Sequence, residues 1–178
     1  MTIFILSTVA QAQNKPLFLD GRRGENPAVI DVTEITENYS KEAVREYDKG
    51  VGDARKGNRE SAQKHLEAAI KIEPDFFNAH NSLAILFQDM LRYGDAEREY
   101  LEALRLNPRS VAPLVNLASL HIEEAYSYAD SDPRTSRAKL NEALARLNQA
   151  LAAQPGNPLA FYYTGVVYRL HSSGGTWS

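Results

Sequence analysis

One spacing constrains this chain more than any other feature. Ala62-x3-Leu66-x2-Ala69-x4-Pro74 recurs as Ala96-x3-Tyr100-x2-Ala103-x4-Pro108, and again as Ala143-x3-Leu147-x2-Ala150-x4-Pro155. Pro74 and Pro108 are 34 residues apart, the length of one helix-turn-helix unit. A second spacing runs ahead of the first. His80-x2-Leu83-Ala84-x2-Phe87, Leu114-x2-Leu117-Ala118-x2-His121 and Phe161-x2-Thr164-Gly165-x2-Tyr168 each set a small residue among larger ones. Glu46-x2-Lys49-Gly50-x2-Asp53 keeps the small residue but little of the apolar pattern.

Gly50, Ala84, Ala118 and Gly165 therefore predict close approach of the first helix of each pair to the second. Ala62, Ala96 and Ala143 do the same from the other side, while Leu66, Phe87, Tyr100 and Leu147 fill the space between helices. Each proline ends a second helix, because it has no N–H to donate and drives the preceding residue out of the helical region. One such pair cannot bury its own apolar face, so neighbouring pairs must stack.

These motifs resemble the tetratricopeptide repeat (TPR) family over roughly residues 40–170, with the unit from His80 to Pro108 the nearest match. The resemblance implies an all-α fold, a right-handed α-solenoid of stacked helix-turn-helix TPR units behind an irregular arm. The units are expected at about 43–76, 77–110 and 111–157, with a half unit at 158–170 and a flexible tail at 171–178. The third unit departs from the pattern. Nine residues separate Asp53 from Ala62 and Phe87 from Ala96, but twenty-two separate His121 from Ala143. The extra residues keep helical spacing on both sides of Asp130-Ser131-Asp132-Pro133, so both helices should be extended, with Asp132 as N-cap and Pro133 in the first turn.

Residues 1–12 read as the remnant of a signal peptide. A short apolar run, Ile3 to Leu6, precedes Ala10-Gln11-Ala12, but no basic residue comes before Lys15. An exported location, periplasmic or secreted, is favoured over a cytoplasmic one. Residues 13–39 hold Pro16, Gly21, Gly24 and Pro27 and are expected to form an irregular or extended arm.

Composition narrows the function. Lys and Arg number 20 against 23 Asp and Glu, a balance that argues against nucleic-acid binding. No apolar run is long enough for a membrane span. The chain has no cysteine, which removes disulfides, thiolate metal sites and cysteine nucleophiles. No nucleophile elbow and no phosphate loop occurs. Gly50-Val51-Gly52 lies inside a repeat and reads as packing. His80 and His121 fall at helix-contact places, His65 is expected at the surface and His171 in the tail. No two histidines lie one turn apart, so no metal site and no cofactor are expected.

In TPR arrays the first helix of each pair lines a concave groove, and helical stepping along those helices implies its lining. The first unit supplies Tyr47, Val51 and Ala54; the second Asn78, Asn81, Ile85, Gln88 and Asp89. The third supplies Val115, Ser119, Ile122 and Glu123; the half unit Tyr162, Val166 and Arg169. This mixture of apolar and amide groups suits an extended segment or helix of another protein. The positions matching a family carboxylate clamp hold mainly Tyr47, Val51, Ser82 and Ala112, with Asn116 the sole agreement, so no such clamp is expected. The reading is a non-catalytic protein–protein interaction module. Its alternatives are an assembly protein that self-associates, and the recognition part of a larger catalytic protein. Phe161, Tyr162, Tyr163, Val166, Val167 and Tyr168 crowd the last half unit. One apolar face there should stay uncovered, a route to a homo-oligomer.

Overall fold

A computed structural model describes residues 39–172. The leader at 1–12, the arm apart from Tyr39, and residues 173–178 of the tail lie outside this range. Among the described residues the chain is all helix: α1 (Lys41–Arg55), α2 (Arg59–Ile72), α3 (Phe77–Asp89), α4 (Tyr93–Leu106), α5 (Val111–Tyr128), α6 (Pro133–Ala153) and α7 (Pro158–Ser172). The fold class is the all-α helical repeat of the α-solenoids. The helices fall into two compact units that divide after Arg92.

The shared spacing marks the core. Ala62, Ala69, Ala96, Ala103, Ala143 and Ala150 have no exposed surface, and Leu66, Tyr100 and Leu147 fill the gaps between them. Each second helix then stops as expected. The N–H groups of Glu73, Asn107 and Gln154 donate to Ala69, Ala103 and Ala150, and a proline follows each.

In the first unit, α1 packs on α2, α2 on α3, and α1 also touches α3. Ser40 caps α1, its Oγ accepting from the Ala43 N–H. Gly50 is required where it stands: a Cβ there would lie 2.7 Å from Leu66 Cγ and 3.1 Å from the Leu66 backbone nitrogen. Phe76 is fully buried, stacked on Tyr39 at 4.2 Å and tilted against Tyr47 at 5.1 Å. Burying a ring of that size contributes about 1.5–3 kcal/mol. The Tyr39 hydroxyl donates to the Asp75 carbonyl at 2.9 Å, which ties the segment ahead of α1 to the end of α2.

In the second unit, α5 packs on α4, α6 and α7, and α6 packs on α7. The insertion lengthens α5 to 18 residues and α6 to 21, against 13 to 15 in the helices α1 to α4. The Ser136 hydroxyl donates to the Ala125 carbonyl at 2.8 Å and stitches the extension together in a buried setting. Asp132 caps α6, with its carboxylate accepting from the Arg134 and Thr135 N–H groups and Pro133 in the first turn. Asn157 caps α7 through its Oδ1 and the Ala160 N–H.

Two expectations change at α7. Gly165 was expected at a close helix contact, yet a Cβ built there meets nothing within 4 Å, since among the described residues no partner helix closes on that side. Val166 and Val167 were expected on an uncovered face, but both are buried against α5 and α6. The exposed rings of α7 are Phe161, Tyr162 and Tyr168.

Candidate functional site: the first-helix faces and a histidine–carboxylate cluster

In the first unit the first helices are α1 and α3. Tyr47 of α1 is partly buried; the Ser82 hydroxyl of α3 donates to its oxygen at 3.5 Å. Burial pushes the Tyr47 phenol pKa up, and Ser82 opposes that shift. Val51, Ala54, Asn78, Ile85 and Gln88 are partly exposed. Asn81 is buried, and its Oδ1 has no hydrogen-bond partner. Asp89 accepts a hydrogen bond from the Arg59 guanidinium of α2, so that carboxylate is engaged within the fold.

In the second unit the first helices are α5 and α7. Val115, Ile122 and Val166 belong to the core cluster, because α7 lies directly on α5 and covers them. Ser119 remains partly exposed and is hydrogen-bonded to Tyr163. Tyr162 is 63% exposed and meets Tyr163 edge-on at 5.3 Å. The Tyr126 hydroxyl, half exposed, lies within the electrostatic reach of Arg169 and Tyr162. Partial burial raises its pKa, and Arg169 opposes the rise. Asn116 is buried, and its Nδ2 has no partner. The aromatic shelf of Tyr126, Tyr162 and Tyr163 gains two members, Tyr126 and Tyr163, that stepping along single helices missed. Continuing the α5 stripe from Ile122 by one turn would have reached Tyr126.

A different grouping forms where α4, α5 and α6 meet. The His121 side chain is 2% exposed. Its Nδ1 lies 3.2 Å from Glu124 Oε2 and 3.5 Å from Glu142 Oε2, and its Nε2 lies 4.0 Å from Glu97 Oε1. Lys139 Nζ sits 3.0 Å from Glu124 and 3.3 Å from Glu142. Burial pushes the Glu124 carboxyl up, but hydrogen bonds from His121 and Lys139 outweigh it and hold it below the ordinary range. His65 departs from its expected surface place. It is half-buried, with Nδ1 2.6 Å from Glu46 Oε2, because α2 packs it onto α1. His80 is a packing residue, its Nε2 2.9 Å from the Pro74 carbonyl.

Comparison with known proteins agrees with this architecture. A tetratricopeptide repeat family model matches residues 136–173. Type IV pilus assembly protein PilF of Pseudomonas aeruginosa is 33% identical over 116 residues, covering 59% of this chain and 46% of PilF. A protein O-mannosyl-transferase of Caenorhabditis elegans is 31% identical over 74 residues, 42% of this chain and 11% of that protein. The chain thus spans less than half the length of either relative. Among solved structures, the Arabidopsis OM64 TPR domain matches with a TM-score of 0.60 at 17% identity, covering 72% of this chain and 95% of that one. The second TPR domain of human RPAP3, solved with an HSP70 peptide, gives 0.59 at 21% identity, covering 71% and 95%. No described helix is long and apolar enough to cross a membrane. The spacing that recurs through the sequence is the spacing that builds its core, a tetratricopeptide repeat is matched at residues 136–173, and the fold so built is the all-α helical repeat shared with solved TPR domains.

Proposed function

We propose that the chain is a non-catalytic protein–protein interaction module that holds a peptide or helix of another protein on its first-helix faces. The observation that carries this reading is the aromatic face of the second unit, where Tyr126 of α5 and Tyr162 of α7 are 48% and 63% exposed. Their rings supply apolar area with polar tips, the kind of surface that anchors protein contacts. The RPAP3 domain, solved with a peptide, shows that this fold is compatible with such use. The clamp positions hold Tyr47, Val51, Ser82 and Ala112, which favours an internal segment over a terminal carboxylate.

A second reading is an assembly role. It is favoured by the likeness to PilF, a protein named for pilus assembly, and it fits an exported chain. In that reading the bound segment belongs to a subunit of a larger extracytoplasmic structure.

The test uses peptides selected on the full chain by display, with affinity read by fluorescence polarisation. Asn81→Ala with Ile85→Ala disrupts the first unit's face, and Tyr126→Ala with Tyr162→Ala disrupts the second. At least one pair should weaken binding by about tenfold or more while circular dichroism stays unchanged. Undiminished affinity in both pairs would place the contact elsewhere.

A further inference from the structure

We propose that Glu97, His121 and Glu142 form a binding site for a divalent transition-metal cation, with zinc as its probe. One candidate ligand atom from each of the three residues lies within 4.8 Å of the others. They come from α4, α5 and α6, so a bound ion would fasten three helices of the second unit at one point. An imidazole nitrogen with carboxylate oxygens is the donor set that borderline divalent ions such as zinc accept.

The charges around His121 favour a cation. Glu97, Glu124 and Glu142 surround it, and Lys139 is the ammonium that reaches them. The count leaves negative charge in excess beside a nearly fully buried ring. The first unit offers an internal comparison. His65 also faces two carboxylates, Glu46 at 2.6 Å and Asp53 at 4.0 Å. There Lys49 pairs with Glu46 and Lys56 with Asp53, so charge is balanced without an ion. The two histidines share a carboxylate environment and differ in this balance.

The geometry also divides roles among the carboxylates. Glu124 holds Nδ1 and orients the ring, the task that outer carboxylates perform for metal-binding histidines. Nε2 is left facing Glu97 at 4.0 Å, beyond hydrogen-bond reach. Bonds of about 2.0–2.2 Å in a tetrahedral shell put ligand atoms roughly 3.4 Å apart. Glu97 must therefore close in on Nε2 by on the order of an ångström, and Glu142, whose Oε2 lies 3.5 Å from Nδ1, must swing its carboxylate toward Nε2. Their side chains are 35% and 49% exposed, which leaves their carboxylates room to turn. Water would complete the shell.

The experiment is calorimetric titration of zinc chloride into the metal-stripped full chain near pH 7, with thermal unfolding read in parallel. The expected result is one zinc per chain and a raised midpoint on zinc addition. Glu97→Gln with Glu142→Gln should weaken zinc binding by about tenfold or more, without lowering the midpoint of the metal-free protein, since like charges are removed. His65→Gln should bind zinc as the unmutated chain does. His121→Gln alters a buried position and so is judged only alongside the double variant. Three outcomes would overturn the assignment: no zinc binding, binding undiminished in the double variant, or binding lost with His65→Gln.

Discussion

Gly57 and Leu91, 34 residues apart, occupy the same left-handed turn, with φ of 80° and 58°. Their hydrogen bonds correspond one for one. Gly57 N–H donates to Ala54 and Leu91 N–H to Gln88; the following N–H groups, of Asn58 and Arg92, donate to Asp53 and Phe87. The repeat thus conserves a backbone shape that glycine adopts freely and leucine adopts under strain, because its Cβ crowds the neighbouring carbonyl.

Leu91→Gly should therefore stabilise the protein. The side chain is 63% exposed, so little packing is lost. Relief of the strain, less the extra chain entropy of glycine, leaves a gain of about 0.5–1 kcal/mol. A denaturant midpoint that falls on this substitution would show that the Leu91 side chain holds a contact worth more than the strain.

Gly50 and Gly52 share α1 and should respond in opposite ways. A methyl at Gly50 runs into both the side chain and the backbone of Leu66, so Gly50→Ala should cost about 1–3 kcal/mol. A methyl at Gly52 meets nothing within 4 Å, and alanine is the better helix former by about 1 kcal/mol, so Gly52→Ala should stabilise. Equal effects of the two substitutions would mean that α1 and α2 are not in this register.

These contrasts show what the sequence carries and what it hides. The Ala-x3-large-x2-Ala spacing is legible because close helix packing tolerates few residue types, and Ala62, Tyr100 and Ala150 all landed in the core. Gly50 was legible for the same reason. The Leu91 turn was not, since leucine gives no local signal of a left-handed backbone. The burial of Val115, Ile122 and Val166 depends on α7 lying on α5, a tertiary contact that stepping along one helix cannot register. The His121 cluster was invisible to a search for histidines one turn apart, because Glu97, His121 and Glu142 converge from three helices.

Asp132 gives a pH-dependent test of the extended hairpin. The Thr135 hydroxyl and the Thr135 and Arg134 N–H groups hold its carboxyl below the ordinary value of 3.8. A depressed folded-state pKa means that the cap stabilises fully above the unfolded value and loses its contribution as pH falls through the folded one. Asp132→Ala should lower the melting temperature at neutral pH, and the gap from the unmutated chain should shrink below about pH 4. A gap that stays constant down to acid pH would mean that the carboxylate charge plays no part in capping α6.

The last prediction concerns α7. Its inner side, Ala160, Val167 and Leu170, is buried in the second unit, while Phe161 and Tyr168 are 56% and 59% exposed. These two rings lie seven residues apart, on one side of the helix, with Gly165 between them and open space above it. Large aromatic surface flanking a smooth glycine is suited to another helix approaching closely, and exposed apolar patches of this kind mark contact surfaces. A second copy presents the same face, so two chains can cover each other's rings. Sedimentation of the isolated chain should show mass rising with concentration from micromolar to near-millimolar. Phe161→Lys with Tyr168→Lys should hold the chain monomeric without loss of helix, because neither residue is in the core. Val167→Lys is the contrasting variant: with no exposed surface at Val167, it should unfold α7 rather than merely separate the chains. A clean monomer of the unmutated protein across that whole range would rule out self-association through this face.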